Sequence, residues 1–243
     1  MKAMIFAAGL GTRLQPLTNH KPKALVEVNG ISILERTINH LIDFGVNDIV
    51  INVHHFAAKI VEFLNENDNF GIKISISDES EMLLETGGGL KKAAWFFDNQ
   101  KPFFVVNGDI ISNINLNDLY EFHLKTNAFA TLAVRKRETQ RYFLFNHENK
   151  LCGWQNTKTN EIIKTHEDEN LNPLAFSGIQ VISPEIFKYL TQEGAFSITG
   201  TYLELSKNHT ISGFQHDADY WFDLGTIEKL EIAEKYLNEK KIK

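Results

Sequence analysis

Residues Met1–Leu25 read MKAMIFAAGLGTRLQPLTNHKPKAL, and this stretch decides the fold. Lys2 to Ala7 is a short apolar run of the kind that forms a buried strand. Ala8-Gly9-Leu10-Gly11-Thr12 follows at once as a loop of small residues, and Arg13, Pro16, Thr18 and Lys21-Pro22-Lys23 come after it. A strand that runs into such a loop brings backbone N–H groups close to a ligand. Gly9 and Gly11 carry no Cβ to block the approach, and successive N–H groups form a concave anion site. Arg13 offers a planar fork suited to phosphate oxygens, and Lys23 a mobile point charge. Pro16 and Pro22 stiffen the segment between them, so less entropy is lost when a ligand orders it.

Two other nucleotide loops fail on spacing. A dinucleotide turn needs G-x-G-x-x-G, but the last position is Leu14, and no G-x-x-x-x-G-K-[ST] string occurs. A plain βα turn with two solvated cations is the competing reading. It is disfavoured because G-x-G-T-R, P-L-T and K-P-K share one short window.

The chain has 243 residues and is 43% hydrophobic, enough for one sizeable domain with its own core. A net charge of −6 argues against a general nucleic-acid binder but not against a nucleotide site, where a few local cations suffice. Cys152 is alone, which excludes an internal disulfide and a thiolate zinc cluster and fits a reducing compartment. Nine scattered histidines show no ligand spacing, and no zinc is assigned. No signal-peptide-like segment and no run near 20 apolar residues is present, so a soluble cytoplasmic protein without a membrane partner is expected.

Periodicity predicts strands at Asp48–Val53, Ile72–Ser77 and Phe103–Asn107, with helices at Ser32–Phe44, Ala57–Asn65 and Gly87–Phe97 between them. Ser32 and Glu35 form a capping box, and Gly45 ends the first helix. Strands alternating with helices imply an α/β fold, a mostly parallel sheet flanked by helices. After about residue 115 the pattern shifts to shorter strands: Ala128–Val134, Tyr142–Phe145, Leu151–Trp154, Glu161–Thr165, Phe176–Ile182, Ile211–His216 and Tyr220–Asp223. Helices are expected at Leu116–Lys125, Pro184–Leu190, Thr199–Lys207 and Thr226–Asn238, and a mobile acidic segment at Glu167–Asn172. Trp95, Trp154 and Trp221 read as core.

Asp109 follows an apolar strand in Asn107-Gly108-Asp109, and Asp223 stands at a strand end in Trp221-Phe222-Asp223-Leu224-Gly225-Thr226. Carboxylates at strand ends point into the crevice where open α/β sheets bind ligands; capping the next helix is the competing role. Two such acids could hold one Mg²⁺, which takes few protein ligands and keeps the rest for water and phosphate. Glu85-Thr86-Gly87-Gly88-Gly89 opens a helix on bare backbone, suited to a flat ligand.

The Met1–Leu25 stretch resembles the signature of the sugar-1-phosphate nucleotidyltransferases. Their pattern, A-A-G-x-G-[TS]-R-[LM]-x-P-x-T followed by K-P-K/A-L, is met by Ala7, Ala8, Gly9, Gly11, Thr12, Arg13, Leu14, Pro16, Thr18, Lys21, Pro22, Lys23 and Leu25. The resemblance implies a Rossmann-like, glycosyltransferase-A-like fold in one domain over 1–243, with a nucleotide-binding half (1–115) and a sugar-binding half (116–243). It implies Mg²⁺-dependent transfer of a nucleotidyl group from a nucleoside triphosphate to a sugar 1-phosphate, as in cell-wall or polysaccharide precursor synthesis. Catalytic roles pass to Arg13 and Lys23, and the metal role to Asp109 and Asp223, which match the family's (N/G)-G-D and W-x-D-x-G-T. Nucleotide-binding roles pass to Ala7, Ala8, Gly9, Gly11, Thr12, Arg13, Glu85, Gly87, Gly88 and Asn107.

Ser177 and Gly178 match the segment that lines the family's sugar pocket. The family's E-K-P is missing; the corresponding stretch here is Asp168-Glu169-Asn170-Leu171-Asn172-Pro173. Arg135, Arg137 and Arg141 are candidates for the sugar phosphate or a carboxylate, with solvated surface as the competing role. The E-T-G-G-G form looks most like the N-acetylmuramate-1-phosphate uridylyltransferases. Uridylyl transfer to an N-acetylmuramate- or hexosamine-like 1-phosphate is therefore the first expectation, and guanylyl transfer to mannose- or heptose-1-phosphate the second. A non-catalytic nucleotide-sugar sensor would tend to lose the cations or acids that are kept here, and a dehydrogenase is disfavoured by Leu14. The attacking phosphate is already ionised, so the expected chemistry calls for no Ser-His-Asp or Cys-His arrangement.

Overall fold

In the computed structural model, which describes residues 1–242, the opening stretch folds as its pattern requires. Lys2–Phe6 is a strand with Ala3, Met4 and Ile5 fully buried. It pairs in parallel with Asp48–Val53, Phe6 opposite Asn52, and that strand pairs in parallel with Lys73–Asp78. The connections carry the helices Ile33–Asp43 and Ala57–Glu66. The first starts where the capping box places it: Ser32 Oγ accepts from the Glu35 N–H at 3.1 Å. It ends at Gly45, whose φ of +79° needs a residue without Cβ. Ile33, Leu34, Ile38 and Leu41 form its fully buried stripe, each contributing about 1.5–3 kcal/mol of transfer free energy.

Contacts group the chain into two units, and the grouping is not sequential. The first comprises Met1–Leu84, Val106–Asn113 and the chain from Tyr220 onward; the second comprises Glu85–Val105 and Ile114–Asp219. This differs from the expected halves at 1–115 and 116–243, because the end of the chain belongs with its beginning. Trp221–Asp223 pairs antiparallel with Ile110–Ser112. The following helix, Ile227–Glu239, buries Leu230, Ala233 and Leu237 in a cluster with Leu14, Val26, Val28, Ile33, Ile111 and Leu224.

In the second unit Ala130–Arg135 lies between Ile211–Gln215, parallel, and Asn172–Ile182, antiparallel. Asn172–Ile182 also pairs with Arg141–Phe145, and the ladder continues antiparallel through Leu151–Asn156 to Glu161–Lys164. Helices Glu85–Lys92, Leu116–Thr126 and Ile198–Ser206 accompany these strands. Lys2–Phe6, Asp48–Val53 and Lys73–Asp78 are thus parallel, whereas the strands of the second unit are mixed.

Several local expectations are corrected. The helix expected over Gly87–Phe97 runs from Glu85 to Lys92, and a separate 3-10 turn covers Ala94–Phe96. Pro184–Tyr189 is a 3-10 helix rather than an α-helix. The strand expected from Phe176 begins at Asn172, so the last residue of the supposed mobile segment is laddered. Trp95 is 59% exposed and is no core residue; it sits on the Ala94–Phe96 turn and meets Phe96 edge-on.

Candidate active site

The phosphate-loop residues all lie in the first unit. At the end of the Lys2–Phe6 strand, the Ala7 N–H donates to Asn52 Oδ1 at 2.7 Å. Asn52 Nδ2 in turn donates to Glu79 Oε1 at 2.7 Å, and Glu79 Oε2 accepts from the Leu84 N–H at 3.1 Å. Asn52 and Glu79 are both buried. A contact made by Ala7 to a ligand therefore cannot use its N–H, which this relay already occupies. Neither Asn52 nor Glu79 was singled out from the sequence, although Asn52 interrupts the apolar run Asp48–Val53 and so carried a signal.

Gly11 is the one loop glycine whose geometry demands glycine twice over. Its φ is +66°, and a Cβ there would stand 3.0 Å from Lys23 Cβ and from Thr18 Cγ2. Thr18 Oγ1 donates to the Gly11 carbonyl at 2.9 Å and closes the turn. The close approach sets Lys23 beside the loop, and Lys23 Nζ lies 2.6 Å from Asp109 Oδ2. Gly9 has open space where its Cβ would be, and Ala8 is buried. Thr12 and Arg13 are exposed on the Thr12–Leu14 turn.

The two acids, which sequence spacing leaves unconnected, are neighbours. The Leu224 N–H donates to the Asp109 carbonyl at 2.9 Å, and Asp223 stands opposite Ile110 in the antiparallel ladder. Asp223 Oδ2 is 2.6 Å from Lys229 Nζ. Burial pushes the Asp223 carboxyl up, but Lys229, Lys23 and Arg13 outweigh burial and hold it below the ordinary carboxylate value. A Cβ on Gly225 would be 2.9 Å from Asp223 Oδ1 and 3.1 Å from Arg13 Nη2, so Arg13 and Asp223 flank that glycine. Helix capping, the competing role for Asp223, belongs instead to Thr226, whose Oγ1 accepts from the Lys229 N–H at 3.4 Å. Asn107, one residue before Gly108, is half-buried; a Cβ on Gly108 would stand 2.7 Å from the Phe6 carbonyl, which fixes that turn against the first strand.

One apolar cluster holds these groups in register. Leu14 follows Arg13, Val26 lies three residues after Lys23, Ile111 two after Asp109, and Leu224 follows Asp223; all four are buried together. Each charged residue is thus attached to a neighbour that the hydrophobic effect pins in place.

The base and sugar candidates lie in the second unit. Glu85 opens its helix with φ +58°. Gly87 and Gly88 donate their N–H groups to the Phe196 carbonyl at 2.8 and 3.3 Å. A Cβ on Gly87 would come within 2.4 Å of the Phe196 ring. The bare face of Gly87 is thus covered by Phe196, a residue that no sequence motif marked.

Ser177 is 0% exposed. Its Oγ lies 2.7 Å from His216 Nε2, and His216 Nδ1 lies 3.4 Å from Asp219 Oδ2. Ser177, His216 and Asp219 thus lie in succession, but His216 Nδ1 makes no hydrogen bond among the described residues, so they form no catalytic triad. Ser177 is no nucleophile for an external substrate, because the hydroxyl has no exposed surface. Burial, then Arg135, drives the His216 imidazole from 6.5 to about 4, so it is neutral at pH 7. Gly178 has φ +75°, and the ladder to Ala130–Arg135 shifts register between Phe176 and Gln180. Arg137 Nη2 donates to the Phe176 carbonyl at 3.1 Å and Arg135 Nη1 to the Asp219 carbonyl at 3.3 Å, while Arg141 is exposed.

Cations and acids gathered around a glycine loop on an α/β fold suit group transfer at phosphorus. Residues 2–240 match the family described as nucleotidyl transferase, and the chain belongs to it. The chain is 29% identical over 245 residues to the N-acetylmuramate alpha-1-phosphate uridylyltransferase of Caulobacter vibrioides, covering 98% of this chain and 97% of that one. It is 30% identical over 228 residues to the mannose-1-phosphate guanyltransferase of Yarrowia lipolytica, covering 93% of this chain but 61% of that one. The fold is shared with HddC from Yersinia pseudotuberculosis, solved with GMP-PN, at a TM-score of 0.77 and 22% identity over 97% of this chain and 99% of that one. The family resemblance read from Met1–Leu25 and the α/β fold expected from it both hold. Among the described residues no helix is long and apolar enough to cross a membrane.

Proposed function

We propose that this enzyme joins a nucleoside triphosphate to a sugar 1-phosphate, giving a nucleoside-diphosphate sugar and pyrophosphate. The observation that carries the reading is the seating of Arg13, Lys23, Asp109 and Asp223 on one apolar cluster. An oxygen of the sugar phosphate attacks the α-phosphorus in line, the bond from that phosphorus to the β-phosphate bridging oxygen breaks, and pyrophosphate leaves. The nucleophile is already an anion, so the protein's part is positioning and charge stabilisation. Arg13, exposed beside the loop, takes the β- and γ-phosphates and the departing pyrophosphate. Lys23 meets the α-phosphate and the incoming phosphate.

Asp109 and Asp223 suit a hard divalent cation, since each carboxylate already takes a cation, an ammonium at 2.6 Å. Among the described residues no group of three or more His, Cys, Asp or Glu could hold a metal, and two carboxylates are what Mg²⁺ needs when phosphate and water supply the rest. Bound there, Mg²⁺ would neutralise charge on phosphate oxygens.

Uridylyl transfer to an N-acetylmuramate- or hexosamine-like 1-phosphate is the first reading, supported by the near full-length likeness to the Caulobacter vibrioides uridylyltransferase. Guanylyl transfer to mannose- or heptose-1-phosphate is the second, favoured by the likeness to the Yarrowia lipolytica guanyltransferase. Glu85, Gly87 and Gly88 are assigned to the base, Gly87 through the backbone shape it gives rather than through its bare face, which Phe196 covers; Asn107 is assigned to ribose or phosphate, and Ser177 and Gly178 to the sugar. With Ser177 buried, the sugar would meet this strand through Gly178 and the backbone. Pyrophosphate release with Mg²⁺, measured for UTP, GTP, CTP, dTTP and ATP against a panel of sugar 1-phosphates, tests the reading. Release with UTP and an amino-sugar 1-phosphate supports the first reading, and release with GTP and mannose or heptose 1-phosphate the second. Silence across the panel with nucleotide binding intact would favour the sensor.

A further inference from the structure

Lys229 stands where local physics does not favour it. Thr226 is the N-cap of the Ile227–Glu239 helix, which makes Lys229 the third helical residue. After a Thr cap that position suits Glu or Gln, whose side chain closes the capping box. A lysine in the first turn also faces the positive end of the helix dipole. The side chain turns back six residues to place Nζ 2.6 Å from Asp223 Oδ2. Lys229 is 45% and Asp223 27% exposed at the side chain, so the pair is reachable from solvent.

The remaining surroundings of Asp223 are also cationic. Arg13 Nη2 and Asp223 Oδ1 both crowd the space beside Gly225, and Lys23 acts on Asp223 while paired with Asp109. Oδ2 is thus the oxygen that Lys229 takes. A divalent ion binding through it needs a contact of about 2.0–2.1 Å. An ammonium held on the same oxygen would then repel the ion at close range.

We propose that Lys229 is a built-in competitor for the divalent cation at Asp223, so that the nucleotide-free enzyme binds metal weakly and the triphosphate admits it by drawing the ammonium away. The proposal rests on the metal role given to Asp223. Lys229 is a positioning residue here: it sets when Asp223 is available.

The test is Mn²⁺ binding to the nucleotide-free protein, followed by the loss of the free-ion EPR signal, in wild type, Lys229→Met, Lys229→Arg, Asp223→Asn and the Lys229→Met/Asp223→Asn double variant. Lys229→Met is expected to tighten Mn²⁺ binding about fivefold, the upper range for a partly exposed ion pair, and Lys229→Arg to stay near wild type. Adding a non-hydrolysable triphosphate should shrink the difference. Equal affinity in wild type and Lys229→Met, with binding lost in Asp223→Asn, overturns the competition and leaves the metal role standing. Wild-type affinity in Asp223→Asn, or Lys229→Met tightening that survives in the double variant, removes the metal role itself. Circular dichroism checks that each variant is folded, as expected for the half-exposed Lys229.

Discussion

The residues proposed to handle phosphate and those proposed to meet the base and sugar are held by opposite means. Arg13, Lys23, Asp109 and Asp223 are charged, and each is seated beside a buried aliphatic residue of one cluster. Gly87, Gly88 and Ser177 are neutral and are held by polar contacts, the glycines to the Phe196 carbonyl and the serine to His216. The first arrangement keeps charges partly in water, where they can exchange partners. The second fixes backbone shape through groups that cannot exchange without leaving a buried donor or acceptor unpaired. In the proposed reading, transfer at phosphorus uses the former, and recognition of a base or sugar the latter.

The sharpest break in this comparison is Arg13→Ala. Arg13 is exposed and outside the cluster, so the variant should lose roughly 10²–10³ in turnover, the effect of removing one preorganised charge-stabilising donor. Its unfolding midpoint in urea should stay within about 0.5 kcal/mol of wild type. An active, well-folded Arg13→Ala would remove the assignment.

Gly87→Ala tests the other side and should reverse the pattern. Alanine in a helix gains about 1 kcal/mol over glycine. The new Cβ, however, would meet the Phe196 ring at 2.4 Å and its carbonyl at 2.9 Å, and overpacking costs about 1–3 kcal/mol. Net destabilisation in urea unfolding is expected, with a raised KM for the nucleotide and a smaller change in kcat. A stabilised variant with unchanged KM would show that Phe196 yields and that the segment does not shape the base site.

The smallest effect is in pH dependence. His216 has a folded value near 4 against an ordinary 6.5, and burial gives His123 the same shift. Between those values the unfolded chain binds more protons than the folded one, so stability rises with pH across the window. The contribution is fully present above about 6.5 and is lost as pH falls toward 4. His216→Gln should remove up to one proton's worth of slope from the pH dependence of the unfolding free energy over that range and leave the part due to His123. An unchanged slope would mean that His216 is not held neutral.

Much of the phosphate side was legible because its requirements are local. Gly11, Arg13 and Lys23 lie within one loop, and only glycine tolerates the φ of +66° beside Lys23 and Thr18. The capping box at Ser32 and the stop at Gly45 are likewise short-range. What escaped depends on contacts distant in sequence. Residue spacing alone could not bring Asp109 and Asp223 together, which the ladder beside Asp109 and the Leu224 N–H do, and Phe196 reaches Gly87 from across the second unit's sequence. His216 lies 2.7 Å from Ser177 although 39 residues separate them. Trp95 misled because composition favours burial for tryptophan, whereas a 3-10 turn leaves it outside. Lys229 did leave a trace, a lysine where the Thr226 cap calls for an acid.

The discontinuity of the first unit has a consequence for synthesis. Arg13 and Lys23 are synthesised before Asp109, and the strand bearing Asp223 and the helix that buries Leu230, Ala233 and Leu237 against Leu14 are synthesised after both. A nascent chain therefore carries the Arg13 loop before all the residues that seat it have been made. Val26, Val28, Ile33 and Ile111 are on hand to shield Leu14 before then, but the side closed by Leu224, Leu230, Ala233 and Leu237 stays open until that helix has been made.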